Sequence, residues 1–234
     1  MKALILAGGF GKRLRPLTEE RPKPMIEVGG KPILAWQLEL LKRHGIKDVV
    51  ITISHLKEVI IREIGSGGKY GVNAVYVVED EPLGTGGAIK NTESVLRNED
   101  KFVVLNGDIL TNLNVRKVCE ALEGDLVGTI ALVPLPSPYG IVLFDKESGL
   151  IKEFKEKPRI PDYFINAGIY CFTNKIFDYL PKSGNIEKVT FPELARKGLL
   201  KAVPFTDVFW RSIDTFKDIE EVNKYLEEYS LFED

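Results

Sequence analysis

Apolar runs of strand length alternate with helical patterns over the first half of the chain. Several runs are rich in aliphatic residues, and Leu34, Leu38 and Leu41 recur at helical spacing. The pattern predicts strands at residues 3–6, 47–53, 74–78 and 102–105, and helices between Pro32 and Gly45 and at residues 57–64 and 87–96. Strands that alternate with helices of this length are typical of βαβ units. We therefore expect an α/β fold with a mixed, mostly parallel sheet flanked by helices.

The second half of the chain is richer in strands. Residues 140–154 have the pattern of a hairpin with a turn at residues 147–149. No repeat, low-complexity segment or linker marks a boundary, so we expect one domain whose second part is a β-rich lobe. The pattern predicts strands at residues 126–133, 140–144, 150–154, 164–172 and 209–213, and helices within residues 186–198 and at 217–229.

Composition excludes several classes of protein. The 234 residues have a net charge of −2 and a hydrophobic content of 44%, so nothing indicates a nucleic-acid partner. No apolar run approaches the ~20 residues of a membrane-spanning helix, and no signal-peptide pattern follows the first run. We expect a cytoplasmic protein without membrane contact. Cys119 and Cys171 lack CxxC or metal-ligand spacing and are predicted to be buried free thiols.

A glycine-rich, cationic stretch follows the first predicted strand. Leu6 and Ala7 lead into Gly8, Gly9 and Gly11. Glycines let backbone N–H groups approach phosphates and cations neutralise them, so the stretch predicts a polyphosphate site. It matches neither a Walker A loop nor a dinucleotide fingerprint, and an ordinary turn is the alternative for the glycines alone. Five cations fall within the next twelve residues: Lys12, Arg13, Arg15, Arg21 and Lys23.

Two acidic residues are candidate metal ligands. Asp108 ends a predicted strand after Asn106 and Gly107, at the sheet edge where ligands bind in α/β proteins. Asp214, distant in sequence, also follows a predicted strand. Two carboxylates opposite a phosphate loop suit Mg²⁺, which completes its shell with water and phosphate oxygens. The alternative is that each residue caps the helix that follows it.

Three other segments are further candidates for a binding site. Residues 79–87 form either a plain connection or a wall that binds a planar ring through backbone groups. Residues 156–158 (Glu-Lys-Pro) have the composition of a surface turn, and residues 166–168 (Asn-Ala-Gly) begin a strand with a glycine that allows close approach of a ligand. His44 and His55 have no nucleophile arranged around them and are interpreted as structural.

In combination, these motifs resemble those of the sugar-1-phosphate nucleotidylyltransferases, which make nucleoside-diphosphate sugars. The opening LAGGFGKRLRPLT with RPKPM resembles the family's phosphate loop. EPLGTGGA at residues 81–88 resembles the base-recognition loop, and NGD at 106–108 the metal site. EKP at 156–158 is similar to the sugar-phosphate site and NAG at 166–168 to the sugar site. The match runs in family order over nearly the whole chain.

The resemblance implies a role for each matching residue. Arg13 would hold the leaving pyrophosphate, Lys23 the α-phosphate and Lys157 the sugar phosphate, while Asp108 and Asp214 would bind Mg²⁺. The sugar-binding group would comprise Asn106, Gly140, Glu156 and Asn166. The nucleotide-binding group would comprise Leu6, Ala7, Gly8, Gly9, Gly11, Lys12, Glu81, Gly84 and Thr85.

The resemblance also implies an architecture. We expect the Rossmann-like nucleotide-diphospho-sugar transferase fold, with residues 1–112 forming the nucleotide-binding part and residues 113–234 the β-rich part that binds the sugar phosphate. The left-handed β-helix of longer members has no counterpart in the sequence, so a short form is expected.

Two positions depart from the family pattern. Lys12 stands where many members have Thr. The C-terminal Trp-x-Asp-x-Gly-Thr becomes WRSIDT at residues 210–215, with Ser212 at the position of the metal-binding Asp and Asp214 two residues later, as in the cytidylyltransferase branch.

The base-recognition motif favours one pair of substrates. EPLGT at residues 81–85 resembles the guanylyltransferase branch, which includes mannose-1-phosphate enzymes. We therefore expect GTP and mannose 1-phosphate as substrates. Thymidylyl, uridylyl or cytidylyl transfer to glucose 1-phosphate stays open, as do an inactive regulatory subunit that binds nucleotide sugars and assembly into a homo-oligomer.

Overall fold

A seven-stranded sheet forms the centre of the molecule, and the computed structural model describes residues 1–232. In chain order the strands are β1 (Ala3–Leu6), β2 (Glu27–Val28), β3 (Lys31–Pro32), β4 (Asp48–Ile53), β5 (Asn73–Val78), β6 (Lys101–Asn106), β7 (Ile109–Thr111), β8 (Gly128–Pro136), β9 (Ile141–Phe144), β10 (Ile151–Lys155), β11 (Arg159–Thr173), β12 (Leu200–Pro204) and β13 (Trp210–Ser212).

Eight α-helices connect the strands within the described residues. They are α1 (Leu17–Glu20), α2 (Ile33–Arg43), α3 (Lys57–Ile64), α4 (Gly84–Asn91), α5 (Glu93–Leu96), α6 (Val115–Glu120), α7 (Thr190–Arg196) and α8 (Phe216–Glu228). Short 3₁₀ turns lie at Lys12–Leu14, Lys23–Met25, Gly68–Tyr70 and Asn174–Asp178.

The sheet is mixed and mostly parallel, as the sequence predicts. Its strand order is β12-β8-β11-β6-β1-β4-β5. β4 and β6 flank β1 in parallel, β5 continues beside β4, and β12 runs parallel to β8. Only β11 runs against both of its neighbours, β6 and β8, among the sheet strands that the structure describes. The carboxyl ends of β1 and β6 therefore meet at one edge.

Both faces of the central strands are buried. Along β1, Ala3 and Ile5 enter one hydrophobic cluster, whereas Leu4 enters the other. In β6, Val103 and Phe102 are divided in the same way. A sheet covered on both faces explains why the first-half strands are continuous apolar runs rather than alternating patterns.

Most predicted elements are confirmed, with shifted ends. The predicted helix at residues 87–96 is wrong in extent: α4 begins at Gly84, and α5 is a separate helix. The hydroxyl of Thr92 donates to the carbonyl of Ile89 between the two helices. The predicted strand at residues 164–172 is longer, because β11 begins at Arg159. The sheet-edge strand β12 was not predicted, since its run of five residues includes a lysine and ends in proline.

The predicted hairpin at residues 140–154 is confirmed. β9 and β10 pair with each other in an antiparallel two-stranded sheet, which we call the ribbon. The two cysteines, distant in sequence, come together: Cys119 and Cys171 are buried free thiols that hydrogen-bond to each other. That bond and burial raise the pKa of Cys171. Within residues 1–232, no helix combines the length and apolar character needed to cross a bilayer.

Candidate active site

Two neighbouring cavities open where β1 and β6 end. They measure about 250 and about 230 Å³ and share Gly9, Lys23 and Asp108. The first is lined by Leu6, Gly8, Gly9, Lys23, Pro24, Thr52, Glu79, Pro82, Gly84, Thr85, Ala88, Asn106, Gly107, Asp108 and Asn185. The second is lined by Gly9, Gly11, Lys12, Arg13, Lys23, Asp108 and Asp214.

A charge cluster lies at the junction of the two cavities. The ammonium nitrogen of Lys23 is 2.7 Å from a carboxylate oxygen of Asp108 and 2.8 Å from one of Asp214. The guanidinium of Arg13 is 2.6 Å from that same Asp214 oxygen. Burial alone would raise the pKa of Asp214, but hydrogen bonds from Lys23 and Ser212 lower it. Residues distant in sequence therefore meet around one lysine.

The donor set of this cluster fits a hard divalent cation. Because one nitrogen of Lys23 bonds to both carboxylates, a positive charge already lies between Asp108 and Asp214. Mg²⁺ is usually held by one or two carboxylates, with water and phosphate oxygens as further ligands. From residue 1 to residue 232, no group of three or more His, Cys, Asp or Glu could hold a metal. This carboxylate pair would therefore need phosphate or water to complete a coordination shell.

The glycine-rich loop offers backbone amides to an anion. In the described part of the chain, the amides of residues 8–11 donate no backbone hydrogen bond. Gly11 has a φ of +58°, and a Cβ there would lie 2.9 Å from the side chain of Thr18, so glycine is required. Ala7 differs, because its N–H donates to the carbonyl of Thr52 at 3.0 Å. Its amide is not available to a ligand.

The turn that presents Asp108 is held from several sides. The N–H of Gly107 donates to the carbonyl of Leu6 at 3.0 Å, and the carbonyl of Asp108 accepts from the N–H of Ile213 at 2.9 Å. A Cβ on Gly107 would lie 2.4 Å from that Leu6 oxygen, so only glycine permits the approach. The buried side chain of Gln37 supports the turn from α2.

Glu79 is a buried carboxylate in the wall of the first cavity. The residue is 5% exposed, and one of its oxygens accepts from the N–H of Leu83 at 3.1 Å. A Cβ on Gly8 would lie 3.1 Å from the other oxygen, which therefore points toward the glycine-rich loop. Burial raises the pKa of Glu79 despite the bond from Leu83. A carboxylate in this position can accept hydrogen bonds from a ligand.

The first residues of α4 are fixed by the second half of the chain. Gly84 has a φ of +74°, and a Cβ there would lie 2.8 Å from the carbonyl of Gly184. The hydroxyl of Thr85 donates to the carboxylate of Glu187 at 2.7 Å. Gly84 and Thr85 line the first cavity, whereas the exposed Glu81 lines neither.

Three residues predicted to bind the sugar phosphate come together outside the two cavities. Gly140, Glu156 and Lys157 lie at the base of the ribbon and line neither cavity. A Cβ on Gly140 would lie 3.1 Å from a carboxylate oxygen of Glu156, whose other oxygen is 3.5 Å from the ammonium of Lys157. Lys157 has a φ of +43°, a strained conformation for a residue with a Cβ. Their predicted roles remain predictions.

Asn166 lies behind the wall of the first cavity. Its amide nitrogen donates to the hydroxyl of Tyr170 at 2.8 Å, and its oxygen accepts from the N–H of Gly168 at 2.8 Å. Burial raises the pKa of Tyr170. A Cβ on Gly168 would lie 2.9 Å from the side-chain nitrogen of Asn106, which lines the cavity. The predicted sugar residues Asn106 and Asn166 are therefore close to one another.

Sequence reasoning missed three residues of this region that the geometry brings forward. Glu79 directly follows a strand, the same signal that identifies Asp108, although the sequence predicts only a loop at this position. Gln37 is the one glutamine of the sequence and lies on the apolar face of a predicted helix, which is a signal of a buried polar role. Asn185 also lines the first cavity, and no motif marks it.

Comparison with known proteins defines the class. The chain belongs to the nucleotidyl transferase family, whose model matches residues 2–229. Members of such a family generally use a divalent metal ion. The fold, the glycine-rich loop and the carboxylate pair at the sheet edge agree with this membership.

Several individual proteins of known name are similar to this chain. A mannose-1-phosphate guanyltransferase of Yarrowia lipolytica is 38% identical over 227 residues, which cover 93% of this chain and 62% of that protein. The crystal structure of HddC from Yersinia pseudotuberculosis matches with a TM-score of 0.76 and 30% identity, over 96% of this chain and 98% of that one, and its complex with GMP-PN matches equally. A putative glucose-1-phosphate thymidylyltransferase from Bacillus anthracis matches with a TM-score of 0.77 and 25% identity, over 100% and 98%.

The chain spans about 60% of the length of the curated relatives it matches. The alignments with these relatives cover 93% of this chain.

Proposed function

We propose that this protein transfers a guanylyl group from GTP to mannose 1-phosphate and releases pyrophosphate. The observation that carries the reaction class is the position of Lys23 between Asp108 and Asp214, at the junction of two cavities. The first cavity has apolar walls suited to a nucleoside, and the second has the cations that polyphosphate needs. The choice of mannose rests on relatives at 35–39% identity that are named for it.

Glu79 supports guanine as the base. Guanine presents two adjacent N–H donors on its Watson–Crick edge, and a carboxylate has two acceptor oxygens. Adenine and cytosine carry an unprotonated ring nitrogen at that edge, which a carboxylate would repel. The buried carboxylate of Glu79 in the first cavity therefore favours guanine over these two bases.

The proposed reaction is an in-line displacement at phosphorus. A phosphate oxygen of mannose 1-phosphate attacks the α-phosphorus of GTP, and the bond to the pyrophosphate oxygen breaks. The nucleophile is already an anion, so no general base is required. The work of the protein is to position two anions and neutralise their charge. Lys23 would bind the α-phosphate, Arg13 the leaving pyrophosphate, and Lys157 the sugar phosphate.

Asp108 and Asp214 would hold Mg²⁺. The ion would supply charge neutralisation to the reacting phosphates. In the present structure Lys23 and Arg13 are bound to these carboxylates. When Lys23 and Arg13 bind the substrate phosphates instead, they would release Asp108 and Asp214. Substrate binding would thereby free the two carboxylates to hold the ion. The product would form in the cytoplasm, where we expect the protein.

Thymidylyl or uridylyl transfer to glucose 1-phosphate is the second candidate. The match to a putative glucose-1-phosphate thymidylyltransferase over the whole chain favours it, since the fold accommodates that chemistry as well. The acceptor pair on Glu79 argues against it, because thymine and uracil present a single N–H between two carbonyls.

A pyrophosphate-release assay tests the proposal. Five triphosphates (ATP, CTP, GTP, UTP and dTTP) are each combined with the 1-phosphates of mannose, glucose and N-acetylglucosamine, with Mg²⁺ present. We expect GTP with mannose 1-phosphate to be the fastest pair, by at least about tenfold, as a site that hydrogen-bonds a substrate discriminates strongly. A faster pair would replace the proposed substrates. Release from no pair, together with calorimetric binding of nucleotide sugars, would identify a binding protein.

A further inference from the structure

The glycine-rich loop, residues 8–11, is held at both of its ends. Before the loop begins, the N–H of Ala7 donates to the carbonyl of Thr52 at 3.0 Å. Where the loop ends, the carbonyl of Gly11 accepts from the N–H of Leu14 at 2.9 Å and from the hydroxyl of Thr18 at 3.0 Å. The residues of the loop that are free to move therefore lie between these two points.

The middle of the loop has little support from its own backbone. Across residues 1–232, the backbone groups of residues 8–10 form no hydrogen bond with the rest of the backbone. A Cβ on Gly9 would have no atom within 4 Å, and the atoms nearest to a Cβ on Gly8 belong to the side chain of Glu79. A loop without other support would lose conformational entropy when it closes on an anion, and that loss weakens binding.

Phe10 is the one residue of this loop that has a side chain. Its ring lies against the ring of His55, with 5.2 Å between the two centroids and 46° between the two planes. Aromatic rings attract one another at this separation. Phe10 is 41% exposed, so burial in the core does not hold its ring. The contact with His55 therefore ties the middle of the loop to a neighbouring element.

His55 lies in a turn with a defined conformation. The turn connects β4 to α3, and the carboxyl end of β4 lies beside that of β1. The N–H of Lys57 donates to the carbonyl of Ser54 at 3.2 Å and so closes the turn around His55. Leu56 has a φ of +55°, a strained conformation that persists where the surrounding structure determines it. The ring of His55 is therefore carried by a rigid support.

We propose that His55 is a positioning residue for the triphosphate. Through its contact with Phe10 it holds the glycine-rich loop in place before the ligand arrives, with the amides of residues 8–11 available to the phosphates. A loop that is already ordered loses less entropy on binding, so the affinity for the triphosphate increases. The inference rests on the proposed function only in taking this loop as the triphosphate site, and it depends on neither the base nor the sugar.

A double-mutant cycle on the binding of inorganic tripolyphosphate tests the contact. Calorimetric titration with Mg²⁺ present gives the Kd for the wild type, for Phe10→Ala, for His55→Ala and for the double variant. Each single variant should bind about 2–12-fold more weakly, the effect of losing one aromatic pair. The double variant should bind as weakly as either single variant, because both remove the same contact. His55→Phe, which puts a ring back, should restore wild-type affinity.

The second histidine of the sequence provides a matched control. His44 lies at the end of α2, where its Nδ1 is 2.8 Å from the carbonyl of Leu40. His44→Ala should bind tripolyphosphate with the wild-type Kd. In the pyrophosphate-release assay, His55→Ala should raise the KM for the triphosphate and leave the KM for the sugar 1-phosphate unchanged. Equal increases in both KM values would show a general loss of structure and would overturn the positioning role.

Other results would also overturn the proposal. They are wild-type affinity in His55→Ala, no restoration by His55→Phe, equal losses in His44→Ala and His55→Ala, and additive losses in the double variant, since additivity would mean that Phe10 and His55 act separately. A wild type that binds no tripolyphosphate would overturn the phosphate-binding role of the loop as well. The expected cycle with a triphosphate other than GTP as the substrate would support the positioning role and replace only the proposed substrate.

Discussion

Gln37 holds the turn of Asp108 from behind. Its side-chain nitrogen donates to the carbonyl of Asn106 at 2.8 Å and to the carbonyl of Ile109 at 2.9 Å, on the two sides of the aspartate. Gln37 is buried on α2 and does not line either cavity. The position of the carboxylate therefore depends on a helix that has no contact with the proposed substrates.

Replacement of Gln37 should loosen the proposed metal site. Gln37→Leu removes both donors and leaves two carbonyls without their partner, which costs about 1–3 kcal/mol for each buried group left unsatisfied. We expect the Mg²⁺ concentration for half-maximal activity to rise about tenfold, which corresponds to ~1.4 kcal/mol. Activity measured against Mg²⁺ concentration, with both substrates saturating, gives this value.

A control for Gln37→Leu is available in the same helix. Leu34 is fully buried on α2, and Leu34→Ala should destabilise the fold by about 2–5 kcal/mol through the cavity it leaves. That variant should keep the wild-type Mg²⁺ dependence. Equal changes in Mg²⁺ dependence for both variants would show that Gln37 acts only through stability.

Glu79 should destabilise the free protein at neutral pH. Its pKa in the folded state is raised by burial, so the native protein binds the proton more tightly than the unfolded chain does. Stability therefore falls as the pH rises through the window from the ordinary value of 4.5 to the raised pKa. Glu79→Gln should melt at a higher temperature than the wild type at pH ~7, and the difference should shrink toward pH ~4.

The same variant should lose its preference for guanine. An amide has one acceptor oxygen and one donor nitrogen, so Glu79→Gln cannot present two acceptor oxygens side by side to the two N–H groups of guanine. The ratio of kcat/KM for GTP over the other triphosphates should fall by about 10–100-fold, as expected when a specific hydrogen-bond pair is lost. The exposed Asp80 provides the control, and Asp80→Asn should change neither melting temperature nor base preference. Retained preference in Glu79→Gln would remove the residue from base recognition.

Asp214 should stabilise the fold in a pH-dependent way. Because the pKa of Asp214 is lowered in the folded state, ionisation of its carboxyl group favours the native state. Its contribution to the stability of the fold is therefore present above the unfolded-state pKa of about 3.9, and it is lost as the pH falls through the lowered pKa. Wild type and Asp214→Asn should therefore differ in melting temperature at pH ~7 and converge toward pH ~3. The exposed Asp207 serves as control. A difference that does not change with pH would contradict the assignment.

Replacement of the adjacent cations Arg13 and Lys12 should lower kcat to different extents. Arg13 bonds to Asp214 and reaches the charge cluster, whereas the ammonium of Lys12 lies 5.7 Å from the ring of Phe10. Arg13→Ala should lower kcat by at least ~100-fold, comparable to the loss of one transition-state contact, and Lys12→Ala should have a much smaller effect. Pre-steady-state pyrophosphate release separates the chemical step from product release. Comparable losses in the two variants would indicate only general attraction of the triphosphate.

The sequence predicted those parts of the fold and the site that short stretches of neighbouring residues encode. Continuous apolar runs identified the buried strands, and a glycine or an acid at a strand end identified the loop of Gly8 and the turn of Asp108. The position of Asp214 beside Asp108 was expected from a motif, and the structure brings both to the ammonium of Lys23.

Other features depended on contacts that no local pattern encodes. Gln37 acts on a turn 69 and 72 residues away in sequence, and Glu187 acts on Thr85 across 102 residues. The strand β12 is short, includes a lysine and ends in proline, and its place in the sheet follows from pairing with β8. The contact between Cys119 and Cys171 likewise results from the packing of α6 against β11.

The most direct test of the account is pyrophosphate release by Asp108→Asn with GTP, mannose 1-phosphate and Mg²⁺. The variant keeps the size of the side chain and the turn, and removes the charge that bonds Lys23. We predict a loss of at least ~100-fold in kcat with an unchanged fold, the effect of removing one group that acts in the transition state, while the exposed control Asp100→Asn retains wild-type activity. Near-normal turnover in Asp108→Asn would contradict the assignment of the reaction centre to this cluster.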